Sequence, residues 1–259
     1  MKIAVCLSGH LRTFDANYES WETHLFSKYD CDTFLHTWDV TGNKIGAGDV
    51  NVTEQLDSIG VTPQELKQKY NFTDVTIQSY TEPLQEFLEK SKRVRALRNI
   101  AGSSQNKIDF TKRRATHIYS MWYAALKSFA LLEAYSTKYD LIIRSRPDIR
   151  LNDSFNLDDI DNTCINWPWY NSTVEHYSEP HDYYAVGNYK NMKIYHNLYN
   201  HIEEMETVLE IEKPTRTAGT NQEIPGVDRF LNGHTLLFFY IKHMELKTKK
   251  IINHVELMR

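Results

Sequence analysis

The segment YDLIIRSRPDIR, residues 139–150, carries Arg144, Arg146, Asp148 and Arg150 directly behind the apolar run Leu141, Ile142 and Ile143. A guanidinium group is a planar fork suited to carboxylates and phosphate oxygens, and it enters a poorly hydrated place only when such partners meet it there. In an extended chain, positions two apart share a side, so Arg144, Arg146 and, where the extended trace continues, Asp148 align. Asp148 is then the candidate to hold a divalent cation, manganese or magnesium, with Asp153 as a nearby carboxylate that could equally cap a turn. The competing account of the same cluster is an internal arginine–aspartate network.

Other short motifs offer complementary chemistry. In SGHLRT, Ser8, Gly9, His10 and Arg12 occupy a turn leading into a helix, where backbone N–H groups favour an anion. The pattern is neither the dinucleotide GxGxxG nor a Walker A loop, and an ordinary glycine turn with an exposed arginine is the alternative. In HTWD, His36 precedes Trp38, a ring that could stack on a base, and Asp39, which could accept from a ribose hydroxyl. Carboxylates able to act as a general base are Asp182 in HDYYAVG, and Glu223 and Asp228 in NQEIPGVDRF, all residue types that also cap helices or form ion pairs. His234 could reach a diphosphate or pack beside Phe230 and Phe238. Trp167, Trp169 and Tyr170 suit sugar stacking, with core packing as the competing role.

The elements that must position these groups are legible as an alternation. Residues 2–7 form a strand, followed by a helix with Phe14, Tyr18, Trp21, Leu25 and Tyr29 at helical spacing. CDTFLHTWD is a second strand, and the β-α-β unit favours a parallel, right-handed crossover. Residues 40–58 are a Gly-, Asn- and Asp-rich loop. TPQELKQKY then opens a helix, with Thr62 as cap, Pro63 at its first position and Glu65 at its third. DVTIQSY is a third strand. Residues 86–114, rich in Lys and Arg, read as a solvated helix face or a flap. Ile118, Met121, Trp122, Ala125, Phe129 and Leu132 mark an amphipathic helix feeding the strand that begins at Leu141, and Pro147 ends that strand. INWPWYN reads as an aromatic turn, helices follow from about residue 189 and in GVDRFLNGHTLLFFYIKHM, and an antiparallel strand is expected near Ile251. Ligands of such sheets bind outside the carboxyl ends of the strands.

Composition sets the bounds. The chain has 259 residues, 41% of them hydrophobic and 25% charged, as in an ordinary globular domain, with a net charge of -4 that gives no broad reason to bind nucleic acid. One domain spanning 1–259 is expected. Cys6, Cys31 and Cys164 lack CxxC spacing, which argues against a disulfide framework or zinc site and for a reducing, cytoplasmic setting. No segment is apolar enough to span a membrane.

The stretches CLSGHLRTF, DTFLHTWD, SMWYAALKSFALLEAYSTKYDLIIRSRPDIRL and DYYAVGNYKNMKIYHNLY resemble a family of glycosyltransferases found in bacterial polysaccharide clusters and large viruses. Its members carry a GxxR turn, a strand ending in a His-Thr-Trp-like motif, and an R-x-R-x-D strand end followed by D-x-x-x-x-G. The resemblance implies a GT-A-like α/β fold with a mostly parallel, mixed central sheet flanked by helices. It further implies transfer of a sugar from a nucleoside diphosphate donor to a glycan or lipid-linked acceptor. Where GT-A enzymes carry a DxD motif for metal and diphosphate, this chain has RPD with Asp148 alone, so Arg144 or Arg146 is the alternative source of positive charge. Two other classes compete: a nucleotide- or glycan-binding protein without turnover, and a sulfotransferase, for which the phosphate loop after the first strand is missing.

Overall fold

The structure, a computed structural model, describes residues 1–42, 57–98, 105–153, 155–168, 182–212, 233–251 and 255–258. Strand β1 (Lys2–Ser8) leads through a glycine turn to helix α1 (Phe14–Trp21), then strand β2 (Asp30–Trp38), helix α2 (Pro63–Tyr70) and strand β3 (Asp74–Gln78). Helices α3 (Leu84–Lys90), α4 (Lys92–Arg98) and α5 (Gln105–Glu133) precede strands β4 (Leu141–Ser145), β5 (Ile149–Leu151), β6 (Ile165–Pro168) and β7 (Tyr184–Gly187). Helices α6 (Tyr189–His196), α7 (Ile202–Glu212) and α8 (Gly233–His243) and strands β8 (Thr248–Ile251) and β9 (Val255–Leu257) complete the order.

Seven strands form one sheet in the order β3-β2-β1-β4-β7-β6-β8, and β5 pairs with β9 apart from it. The first four strands are mutually parallel, β7 runs antiparallel to both β4 and β6, and β8 is parallel to β6. This is the α/β, mixed and mostly parallel sheet with flanking helices that the alternation predicts. Two local expectations are corrected. Ile165–Pro168, read as part of an aromatic turn, is a strand, because two neighbours hydrogen-bond it. The strand at Ile251 is parallel, and the antiparallel member is β7.

Local chemistry explains why the elements start where they do. Thr62 accepts from the Glu65 backbone N–H at 3.2 Å and the Glu65 carboxylate accepts from the Thr62 N–H at 2.7 Å, so the expected capping box opens α2. Side chains alternate across β1: Ile3, Val5 and Leu7 pack with Phe14 and Trp21 of α1 and Leu66 of α2 on one face. Ala4 and Cys6, with Ile142 of β4, meet Trp122, Ala125 and Phe129 of α5 on the other. With helices on both faces, the central strands β1, β4 and β7 bury nearly every side chain, whereas β3 and β8 at the sheet edges do not.

The basic stretch at 86–114 divides between two fates. Phe87 and Val94 are buried in the core, while the outer faces of α3 and α4 carry charge. Glu206 of α7 is fully buried and caps α4, its carboxylate accepting from the Lys92 backbone N–H at 2.7 Å and from the Ser91 hydroxyl at 3.2 Å. Burial pushes its carboxyl up to about 7 although these bonds and Arg93 favour the anion. The folded-state value lies above that of the unfolded chain, so the stabilisation is complete below the unfolded pKa and is lost as pH rises toward 7. Denaturant unfolding at pH 5 and pH 8 is expected to show the wild type losing about 3 kcal/mol relative to Glu206→Gln. A difference between the two proteins that does not change with pH would remove Glu206 as its source.

Candidate functional site

In this sheet the chain moves outward in one direction from β1 to β2 and β3, then returns to the other side of β1 with β4. The reversal lies between β1 and β4, and the crevice outside their carboxyl ends is the position at which open α/β sheets bind ligands. The SGHLRT turn leaves β1 there and Arg146–Asp148 leave β4 there. Because β7 is antiparallel to β4, its start, with Asp182 just ahead of it, comes to the same edge. Helix α5 completes the enclosure. Trp38, at the end of β2, stacks on Tyr123 of α5, so the turns of α5 that precede Tyr123, with Arg114 and His117, project beyond the sheet edge.

Asp148 organises the cluster. It is 2% exposed and accepts at 2.8 Å from Nε of Arg146, again from Nη2 of Arg146, and at 3.1 Å from Nη1 of Arg12. A turn closed by the Ile149 N–H on the Arg146 carbonyl at 3.3 Å folds the arginine back on the carboxylate. The side chains of Arg12 and Arg146 keep 25% and 20% exposure, so both reach the crevice while Asp148 fixes the planes of their guanidiniums. Arg12 holds its place at a backbone φ of 41, in the left-handed region that side-chain-bearing residues rarely adopt, and Gly9 takes φ 116 in the same turn.

The expectation that Asp148 is a cation ligand is therefore corrected: its two oxygens face guanidiniums. Among the described residues no group of three His, Cys, Asp or Glu side chains could hold a metal ion. The described residues do not by themselves fit a divalent cation, and among them the positive charge at the crevice comes from arginine. Asp153 lies beyond β5, fully exposed and 3.5 Å from His24, away from this cluster. Arg150 is exposed on β5.

Asp182 is 9% exposed and stands at the start of α8, where a Cβ on Gly233 would come within 2.7 Å of its carboxylate. Its backbone N–H donates to Nδ1 of His234 at 3.2 Å, which brings the two residues together. Burial raises the Asp182 carboxyl, but His234, Arg146, Arg144 and His117 outweigh it and hold the group below its ordinary range. His117 is exposed on α5, with protein packed closely around it. Partial desolvation, Arg146, Arg12 and Arg114 favour its neutral form, against the pull of Asp182. Nothing in the sequence singles out His117, because on an amphipathic helix it is one polar residue among several.

Other expected site residues lie deeper. Trp38 is 1% exposed, stacked at 5.9 Å on Tyr123 and edge-on at 5.4 Å to Tyr80, so its assignment as a base platform is corrected to core packing. His36 is buried beside it, donating from Nε2 to the Gln78 side-chain oxygen at 3.0 Å, and burial pushes its pKa down to about 4. Asp39 caps a turn by accepting from the Tyr80 N–H at 2.9 Å. His10 donates to the Val40 carbonyl at 3.0 Å, tying the β1 turn to the loop after β2, and burial lowers its pKa to about 4. Ser8 is buried at the end of β1 with its hydroxyl unpaired. Trp167 is 2% exposed within β6. Trp169, Tyr170, Glu223 and Asp228 lie outside the described residues.

The site thus belongs to an α/β sheet protein whose strand-order reversal carries an arginine-rich edge with one carboxylate set apart from the clamp. No family model and no curated protein matches the chain. Among solved structures, the apo crystal structure of mouse xyloside xylosyltransferase 1 superposes with a TM-score of 0.43 at 9% identity, covering 96% of this chain and 84% of that one. No residue is carried across from it.

Proposed function

We propose that the protein is a GT-A-like glycosyltransferase that moves a sugar from a nucleoside diphosphate donor to a hydroxyl of a glycan or lipid-linked acceptor. The observation that carries this reading is the pair of partly exposed arginines, Arg12 and Arg146, held by one buried carboxylate at the strand-order reversal. In transfer, the bond from the anomeric carbon to the diphosphate oxygen breaks, and the leaving oxygen takes the bonding electrons. Arg12 and Arg146 meet that developing charge in a crevice where water competes weakly. The acceptor oxygen forms the new bond to the anomeric carbon, and in an inverting transfer its proton passes to a carboxylate. Asp182 suits this role: it is ionised at neutral pH and lies in the same electrostatic field as Arg146 while outside its hydrogen-bonded clamp. The motif resemblance supports the same reading independently. The donor groups then come from residues 1–150 and the base from 151–259.

Nucleoside diphosphate release from a panel of nucleotide sugars, with and without manganese and a chelator, tests it. Release from at least one donor that survives chelation is expected, since the described site supplies arginine charge. Absence of turnover together with absence of a thermal shift by any nucleotide would overturn the transferase reading. A thermal shift without turnover would favour a nucleotide-binding protein.

A further inference from the structure

Behind the crevice, Arg144 is 0% exposed on the α5 face of β4, and its Nε, Nη1 and Nη2 atoms have no hydrogen-bond partner among the described residues. Its neighbours repeat the pattern. The guanidinium carbon lies 5.9 Å from the ring centroid of Trp122, whose Nε1 is buried and unpaired, and the Trp122 and Tyr195 rings are 5.5 Å apart. The Tyr195 hydroxyl is buried and unpaired as well. The nearest carboxylates do not answer this need. Asp182 acts on Arg144 through space without a hydrogen bond, and Asp148 is committed to Arg12 and Arg146. A buried guanidinium is tolerated only when its hydrogen bonds and its charge are met.

We propose that Arg144, Trp122 and Tyr195 form an internal binding site for one halide-class monoanion, enclosed between β4 and the helices α5 and α6. The argument is a count of donors against acceptors. Arginine and tryptophan only donate, and tyrosine can donate, so an anion satisfies all three at once. A water molecule must place two protons of its own, and the unpaired acceptor nearby is Nε2 of His196, whose Nδ1 donates to the Met192 carbonyl at 2.7 Å. The charge selects a monoanion, because the one guanidinium has an aromatic face but no carboxylate in direct contact among the described residues. The enclosure selects a small one: with no exposed surface at Arg144, a diphosphate remains at Arg12 and Arg146. Cys6, opposite Arg144 in the β1–β4 register, remains a thiol because burial raises its pKa, and so adds no negative charge. The site anchors β4 to α5 and α6 and does not depend on the transferase reading.

The test exchanges sodium gluconate for sodium chloride or bromide at constant ionic strength while the melting temperature of the full chain is followed. A saturable rise of several degrees is expected, since an anion that binds only the folded state stabilises it by mass action. Tyr195→Phe and Trp122→Phe should each raise the half-saturating halide concentration about tenfold. Arg144→Met should abolish the response, and if that variant does not fold, the two aromatic variants decide. Crystals grown in bromide should show an anomalous peak within hydrogen-bonding distance of Arg144 and Tyr195. Equal melting in gluconate and halide, a response unchanged in both aromatic variants, or water alone beside Arg144 would overturn the assignment.

Discussion

Asp182→Asn is expected to reduce glycosyl transfer by about a thousandfold while leaving donor affinity within about twofold of wild type, the effect of losing a positioned general base. The substitution keeps the size of the side chain and the backbone N–H that donates to His234, so the contact with α8 persists. Donor affinity is read by nucleotide-induced thermal shift and transfer by diphosphate release under single-turnover conditions. The two readouts separate roles: a structural Asp182 would lower stability and binding together, whereas a base acts on the chemical step. Transfer at the wild-type rate in a folded variant would remove Asp182 from the reaction.

Asp148→Asn addresses the other carboxylate, and here stability moves first. The change removes the negative charge between Arg12 and Arg146, and the amide group that replaces one oxygen turns donors toward donors. Losing one partner of a buried ion pair costs about 3 to 5 kcal/mol, and the partial exposure of both arginines brings the expected loss to about 2 to 3 kcal/mol. In a chain of this length that lowers the melting temperature by roughly 4 to 12 °C. Donor affinity is expected to fall about tenfold with it, because guanidiniums freed from their clamp must be ordered again by the diphosphate. A metal ligand at this position would behave otherwise, keeping its melting temperature and losing a manganese response. Unchanged melting and unchanged donor affinity would show that Asp148 does not hold the two arginines.

The order of elements was written in local chemistry. Val, Ile and Leu runs bounded by turns specify strands buried on both faces, and Thr62, Pro63 and Glu65 specify the start of α2 through interactions spanning three residues. The charged end of β4 was equally visible, since Pro147 stops the strand and leaves Arg146 and Asp148 at its carboxyl edge. Partners distant in the chain were not. Arg12 and Asp148 are 136 residues apart, and no periodicity predicts that the turn after β1 would deliver a guanidinium to that carboxylate rather than to a ligand.

The same reason accounts for HTWD. A tryptophan at a strand end has the chemistry of a stacking platform, and only the docking of α5 across β2 decides that Tyr123 covers it. Arg144 and Arg146, two positions apart on one strand, look alike in the sequence. The tertiary structure places one under Trp122 with no exposure and the other at the crevice with 20%. By itself, then, the sequence determined the elements, their alternation and the charge at the edge of β4, because these depend on neighbours a few residues away. Which charges meet each other, which are sealed in and which face the crevice was decided by strand order and by the length of α5. Desolvation and Coulomb energies depend on distances through space, and those exist only once the sheet has closed around them.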